Sequence, residues 1–205
     1  DVEKALQERG CPYEKRLIKL GSAVWQMDPR GGRVAAGVRD SYYAVTYVFP
    51  RETKEGALGY DMGSDPVRLK TITESLTTGK TLATDPVTMV QATGEEKGFL
   101  ILRPVHGPDG GVKGFALARV GLDDLLVHSG FLSGHETESA SVTEIYLARP
   151  DGSSELLACS RPDHECGREG GSRFGRNSFV FPFSAFGKTL VISLWTEITR
   201  VLPKA

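Results

Sequence analysis

Apolar positions change period along this 205-residue chain. In "YEKRLIKLGSAVWQ" (13–26), Leu17, Leu20 and Val24 recur at helical spacing, and Pro12 suits the first turn. An earlier piece, "DVEKALQER", also reads as helix and is broken by Gly10 and Pro12. "MDPRGGR" then ends the second helix with Pro and Gly punctuation. "SYYAVTYVF" (41–49) is β-branched and aromatic, which predicts a strand, and Pro50 stops it. "SDPVRLKTITESLTTG" (64–79) carries the clearest helix signals. Asp65 is the expected cap, Pro66 the first helical residue and Gly79 the residue just past the end, with Leu69, Ile72 and Leu76 as the apolar face.

Further on, "GFLILRPVH" (98–106) and "VKGFALARV" (112–120) predict two strands joined by "GPDGG". "GLDDLLVHSGF" follows as a short helix. "SVTEIYLAR" (141–149), the turn "PDGS" and "SELLACS" (154–160) predict another hairpin. After the glycine-rich "GREGGSRFGRN", both "SFVFPFSAFG" and "KTLVISLWTE" read as strands. The expected fold class is therefore α+β: antiparallel sheets with helices on one face, in two consecutive units divided near 130–140, in "GFLSGHETESA".

Composition narrows the function classes. Hydrophobic content of 40% and charged content of 25% are ordinary globular values. The 25 basic residues balance 26 acidic ones, so no net field favours nucleic acid or acidic lipid, and no nucleic-acid partner is expected. No window approaches the roughly 18–20 apolar residues of a spanning helix. The start, "DVEKALQERG", with neither Met nor a signal-like apolar segment, reads as an excised piece.

Candidate chemistry is sparse. No HExxH, CxxC pair, EF-hand loop or G-x-S-x-G elbow occurs, and "GREGGSRFG" lacks the Gly-Lys-Ser/Thr ending of a phosphate loop. His128 and His135, with Glu136 and Glu138 nearby, read as a solvated loop rather than a metal site. Asp61, Asp65 and Asp85 have no spacing that fixes an acid–base pair, so no catalytic residue and no cofactor are expected. Cys159 and Cys166 flank "SRPDHE" and are expected to close a disulfide. Free thiols are one alternative; a metal site adding His164 is another, for which no fourth ligand is evident. Asp61 in "GALGYDMGSDPVR" (56–68) stands out, because Asp65 already supplies the helix cap. It is a ligand anchor, a turn residue or a scaffold acid paired with Arg68 or a backbone N–H.

"SYYAVTYVFP", "ALGYDMGSDPVRLKTITESLTTGKTLATDPVTMVQ" and "KGFLILRPVHGPDGGVKGFALARVGLDDLL" together resemble the CHASE domain. That family is the extracytoplasmic sensor of many histidine kinases and nucleotide cyclases and of the plant cytokinin receptors. The pieces keep the family's order and rough spacing over about residues 42–127. The resemblance implies a stalk helix followed by two PAS-like units. Residues 1–40 would be a partial stalk, 41–132 the membrane-distal ligand-binding unit and 133–205 the membrane-proximal unit. Residues 1–26 supply less helix than the family's stalk usually has.

In the plant receptors an aspartate of the distal unit binds an adenine, and in the matching stretch "GYDMG" that residue is Asp61. A backbone carbonyl that meets the adenine maps near Ala83, and a pocket threonine corresponds to Leu102, which implies a drier wall. If Leu102 faces inward, strand period places Leu100 and Pro104 beside it. On the partner strand, Gly114, Ala116 and Ala118 would leave a hollow, with Phe115 and Leu117 packing the other face. Tyr47 and Arg103 complete the candidates, and Arg103 either binds an anionic ligand or faces solvent. The resemblance further implies a small-molecule ligand, a homodimer formed through the stalk, and membrane attachment through flanking helices absent from this sequence. The domain itself would not be an enzyme; its parent would be a histidine kinase or nucleotide cyclase. A PAS-like binding domain for a small carboxylate or peptide is the alternative, and a hydrolase using Asp61 and a histidine lacks support.

Overall fold

A Pro-x-Gly pattern makes the same reverse turn three times, at 28–32, 107–111 and 149–153. In each, a glycine (Gly31, Gly110, Gly152) takes φ of 81°, 77° and 84°, and its N–H donates over 3.0 Å to the carbonyl of the turn's first residue. The N–H of that first residue donates over 2.8 Å to the carbonyl of the fifth. Proline presets the φ of the second position, and only glycine enters the left-handed region without cost. Aspartates tighten the turns. Asp109 accepts from Lys113 Nζ (2.7 Å) and the Gly111 N–H (3.2 Å), and Asp151 accepts from Ser153 Oγ (2.6 Å) and N–H (2.9 Å). The Lys113 ammonium and the Ser153 hydroxyl, respectively, hold these two carboxyls below their ordinary range.

The computed structural model describes residues 23–49, 55–89, 97–128, 141–160, 166 and 178–196. Its elements are β1 (Trp25–Met27), β2 (Arg33–Ala35), α1 (Pro66–Thr78), β3 (Leu82–Ala83), β4 (Val87–Thr88), β5 (Lys97–His106), β6 (Val112–Gly121), α2 (Leu122–His128), β7 (Ser141–Ala148), β8 (Ser154–Cys159), β9 (Ser178–Ala185) and β10 (Lys188–Thr196). The chain divides into two compact units. One holds the described residues up to 89 together with Leu100–Ala118, and the other holds Lys97–Phe99 and the described residues from Arg119 onward.

In the first unit β5 pairs with β3, β4 and β6, and β1 pairs with β2. β3 runs antiparallel to β5, with Leu82 opposite Leu102 and Ala83 opposite Ile101. Thr84 closes that edge, donating its N–H to the Leu100 carbonyl (2.9 Å) and accepting the Leu100 N–H on Oγ1 (3.0 Å). Trp25, Tyr60, Met62, Ile72, Val87, Met89, Leu100 and Leu102 form the core. The second unit is an antiparallel sheet in the order β8-β7-β10-β9. Its core joins Phe99, Leu122, Leu126, Ile145 and Ala158, and a disulfide links Cys159 to Cys166 with Cα atoms 6.4 Å apart. β9 and β10 meet at a two-residue turn in which Phe186 (φ 51°) and Gly187 (φ 76°) are both left-handed.

α1 has the expected ends. The Asp65 carboxylate accepts the Arg68 N–H, Pro66 opens the helix, and Gly79 (φ 67°) closes it in the left-handed conformation. Its buried face differs from the expected one. Arg68, Thr71, Ile72 and Ser75 are buried, whereas Leu69 and Leu76 stay 39% and 36% exposed. The polar members find partners, as when Ser75 Oγ donates to the Lys80 carbonyl (2.7 Å).

Three more expectations are corrected. Trp25 and Gln26, the end of the expected 13–26 helix, belong with Met27 to a strand, because the 28–32 turn folds Trp25–Met27 onto Arg33–Ala35. Residues 41–49 form no continuous strand; only Ala44 bridges, to Asp61, because the segment it meets is short. Phe115, expected on the outer face of β6, packs against the first core with its ring 6.3 Å from Tyr43, while Ala116 and Ala118 are exposed. Overall the fold is α+β with mostly antiparallel sheet. The stalk and helix expected before residue 23, the 129–140 loop with His135, the glycine-rich 167–177 loop, Cys11 and His164 lie outside the described residues. Among the described residues no helix is long and apolar enough to cross a membrane.

Candidate functional site

The segment 59–62, "GYDM", is held from both sides by backbone hydrogen bonds. On one side the Trp25 N–H donates to the Gly59 carbonyl (2.9 Å) and the Asp61 N–H to the Trp25 carbonyl (2.8 Å). On the other, the Val45 N–H donates to Tyr60 (2.9 Å), the Gly59 N–H to Val45 (2.8 Å) and the Met62 N–H to Tyr43 (3.0 Å). Extended backbone alternates its side chains. Tyr60 and Met62 accordingly enter the core, with the Tyr60 ring 5.0 Å from Trp25, and Asp61 leaves on the opposite side.

Asp61 is completely buried (0% exposed). Its Oδ1 accepts the N–H groups of Tyr43 (2.9 Å) and Gly63 (3.0 Å), and its Oδ2 forms an ion pair with Arg39 Nη1. A buried carboxylate needs this many charge-assisted bonds to offset its lost hydration. Gly63 is required at its position, because a Cβ there would sit 2.9 Å from Tyr43 Cδ2 and 3.2 Å from Asp61 Oδ1. The Asp61 carbonyl accepts from Ser64 N–H (3.0 Å) and Oγ (2.6 Å), so the same residue caps the 3₁₀ turn at Met62–Ser64.

Arg39 is fixed in turn. Nη2 donates to Gln26 Oε1 (2.6 Å), which also accepts the Gly37 N–H (3.1 Å). The Arg39 N–H donates to the Tyr42 hydroxyl (2.8 Å), and that hydroxyl donates to the Gly37 carbonyl (3.1 Å). The side chain is nevertheless 31% exposed, so it reaches water where the carboxylate does not.

A second charged group lies below α1. Buried Arg68 donates from Nη1 to Asp65 Oδ2 (2.8 Å) and the Tyr60 hydroxyl (3.1 Å), and from Nη2 to the Thr88 carbonyl (2.8 Å). Burial raises the Tyr60 phenol above its ordinary pKa, with the Arg68 charge opposing.

The candidate residues are distributed unequally. Asp61 is buried with Arg39, not Arg68, as its ion-pair partner. Ala83, Leu100 and Leu102 are buried together where β3 meets β5. Gly114 is half-buried, whereas Tyr47, Arg103 and Ala116 are exposed. Arg39, Gln26, Tyr42 and Tyr43 were not anticipated. Arg39 lies 22 residues from Asp61, and no local spacing links them.

Residues 5–157 match a family model of extracellular sensor domains of membrane receptors. That model is the CHASE domain, and with well over half of the chain matched, the chain belongs to the CHASE domain family. The match extends beyond the 42–127 stretch that carries the sequence resemblance. No curated protein matches the chain.

Proposed function

We propose that this sensor domain is the extracytoplasmic part of a transmembrane histidine kinase or nucleotide cyclase, and that its membrane-distal unit, residues 41–132, binds a small molecule at Asp61, with Arg39 from the preceding segment as the carboxylate's ion-pair partner. The observation that carries the proposal is a fully buried acid whose ion-pair partner reaches solvent. An adenine-type ligand would place an N–H on Asp61 Oδ2 in place of Arg39. Ala83, Leu100 and Leu102, the other residues matched to the family's pocket, are buried where β3 meets β5. Signalling then requires the ligand to prefer one of two states, because binding shifts an equilibrium only by differential affinity. In the whole receptor the domain pairs through its stalk, and flanking helices attach it to the membrane.

One observation favours the second reading, a small carboxylate or short peptide. The Arg39 side chain, held by Asp61 and Gln26, is partly exposed, and Arg103 is exposed as well, so two cations are within reach of an anion from solvent.

A thermal-shift screen with adenine-type cytokinins, amino acids, dicarboxylates and short peptides separates the readings. At 100 times its Kd a ligand stabilises by about 2.7 kcal/mol, a shift of roughly 5–10 °C for a chain this size. An adenine-type shift should vanish in Asp61→Asn and survive Arg39→Lys. A carboxylate shift should weaken in Arg39→Lys and survive Asp61→Asn. No shift from any of these compounds would count against both.

A further inference from the structure

We propose that Glu144, Cys159 and Cys166 form a zinc site once the Cys159–Cys166 disulfide is reduced. The antiparallel register of β7 and β8 puts Glu144 directly opposite Cys159, so both side chains stand on the same face of the sheet. Ser160 locks that register just past the strand end. Its N–H donates to the Thr143 carbonyl (2.9 Å), and its Oγ accepts the Thr143 N–H (2.9 Å). A Glu144 carboxylate oxygen and both sulfurs lie within 4.8 Å of one another.

Glu144 is a carboxylate only 2% exposed that stands opposite a disulfide cysteine. Its Oε2 accepts the Tyr146 hydroxyl (2.9 Å), which fixes the orientation of the carboxylate. Metal-bound carboxylates are commonly held by just such an outer hydrogen bond. A disulfide is a poor metal ligand, and two thiolates are strong ones. Reduction by a thiol or phosphine reductant adds two electrons and two protons to give two thiols. Zinc then displaces those two protons and takes two sulfur ligands and one oxygen. Zn–S bonds of about 2.3 Å and Zn–O bonds of about 2.0–2.2 Å in tetrahedral geometry put the ligand atoms about 3.5–3.8 Å apart. Opening the disulfide lets the two sulfurs separate to that spacing by side-chain rotation, and the Glu144 carboxylate oxygen, within 4.8 Å of both, is in reach of the same ion. Water fills the fourth position. Two sulfurs in the ligand set select zinc over magnesium or calcium. Disulfide and metal compete for the same sulfurs, so the oxidised domain excludes the ion.

The test uses the whole chain, reduced with a phosphine and desalted without oxygen. Zinc should raise Tm and protect Cys159 and Cys166, mapped separately from Cys11, from alkylation. Cobalt should give a thiolate-to-metal charge-transfer band, and magnesium should do none of this. The oxidised protein should show no response to zinc. Glu144→Gln should weaken zinc binding at least about tenfold, with Glu144→Asp in between. Unprotected thiols in the reduced wild type would overturn the proposal without any variant having to fold. Glu144→Gln binding as tightly as wild type would remove Glu144 from the ligand set.

Discussion

Arg39 and Asp61 form an ion pair between parts of the chain 22 residues apart, and its two ends differ in environment: the carboxylate is sealed while the arginine side chain meets water. The asymmetry makes Asp61 a structural centre and Arg39 the adjustable partner.

Replacing Asp61 is therefore expected to destabilise severely. Asp61→Ala leaves the Tyr43 and Gly63 N–H groups and the Arg39 charge without their acceptor, at a cost on the order of 3–5 kcal/mol. Asp61→Asn keeps one acceptor oxygen and should lose about half as much. Urea denaturation measures both, and an Ala variant within about 1 kcal/mol of wild type would show that the pair does not matter to the fold.

Tyr60 sets an alkaline limit. Its folded pKa is raised above the ordinary 10.0, chiefly by burial. Above pH 10 the unfolded chain loses the phenolic proton first, so the folded state binds more protons and stability falls as pH rises. The contribution is complete below pH 10 and disappears as pH passes the folded value. Tm measured from pH 8 upward should show this decline, and Tyr60→Phe should flatten it. An unchanged slope in the variant would place the sensitive group elsewhere.

Phe186 occupies a position suited to another residue. Both central residues of a type I′ turn need positive φ, which Asn-Gly meets at least cost, yet the chain has Phe-Gly with Phe186 47% exposed. Phe186→Asn should stabilise by about 0.5–1 kcal/mol. A destabilised variant in thermal melts would mean that the ring makes a contact worth more than the relieved strain.

The ends of α1 should respond in proportion to their chemistry. Asp65→Ala removes both the Arg68 N–H acceptor and the Arg68 side-chain partner, for about 1–2 kcal/mol. Gly79→Ala meets open space and loses about 1 kcal/mol through its φ of 67° alone. Equal and negligible losses in both would mean that the caps are not limiting.

Local signals were legible wherever neighbours in sequence settle the structure. Asp65, Pro66 and Gly79 frame α1, and alternation with a Pro-x-Gly turn announces β5–β6 and β7–β8. The sequence was silent where distant partners decide. Arg68 is buried because Thr88 and Tyr60 receive it, so the polar side of α1 faces inward instead of Leu69 and Leu76. Residues 41–49 look like a strand but meet only a short segment; of the two scaffold partners expected for Asp61, the backbone N–H is present at Tyr43 and Gly63, whereas Arg68 is held by Asp65. The two-residue strands β3 and β4 are too brief to show any period.

The hairpin of β5 and β6 has a consequence for how such a module can be divided. Phe99 belongs to one core and Leu100 to the other, and the chain returns to the second unit at Arg119. No single break in the polypeptide can therefore release one unit whole. A cut at any one peptide bond would leave at least one of the two cores incomplete, so neither unit can be expressed alone as a simple N- or C-terminal truncation.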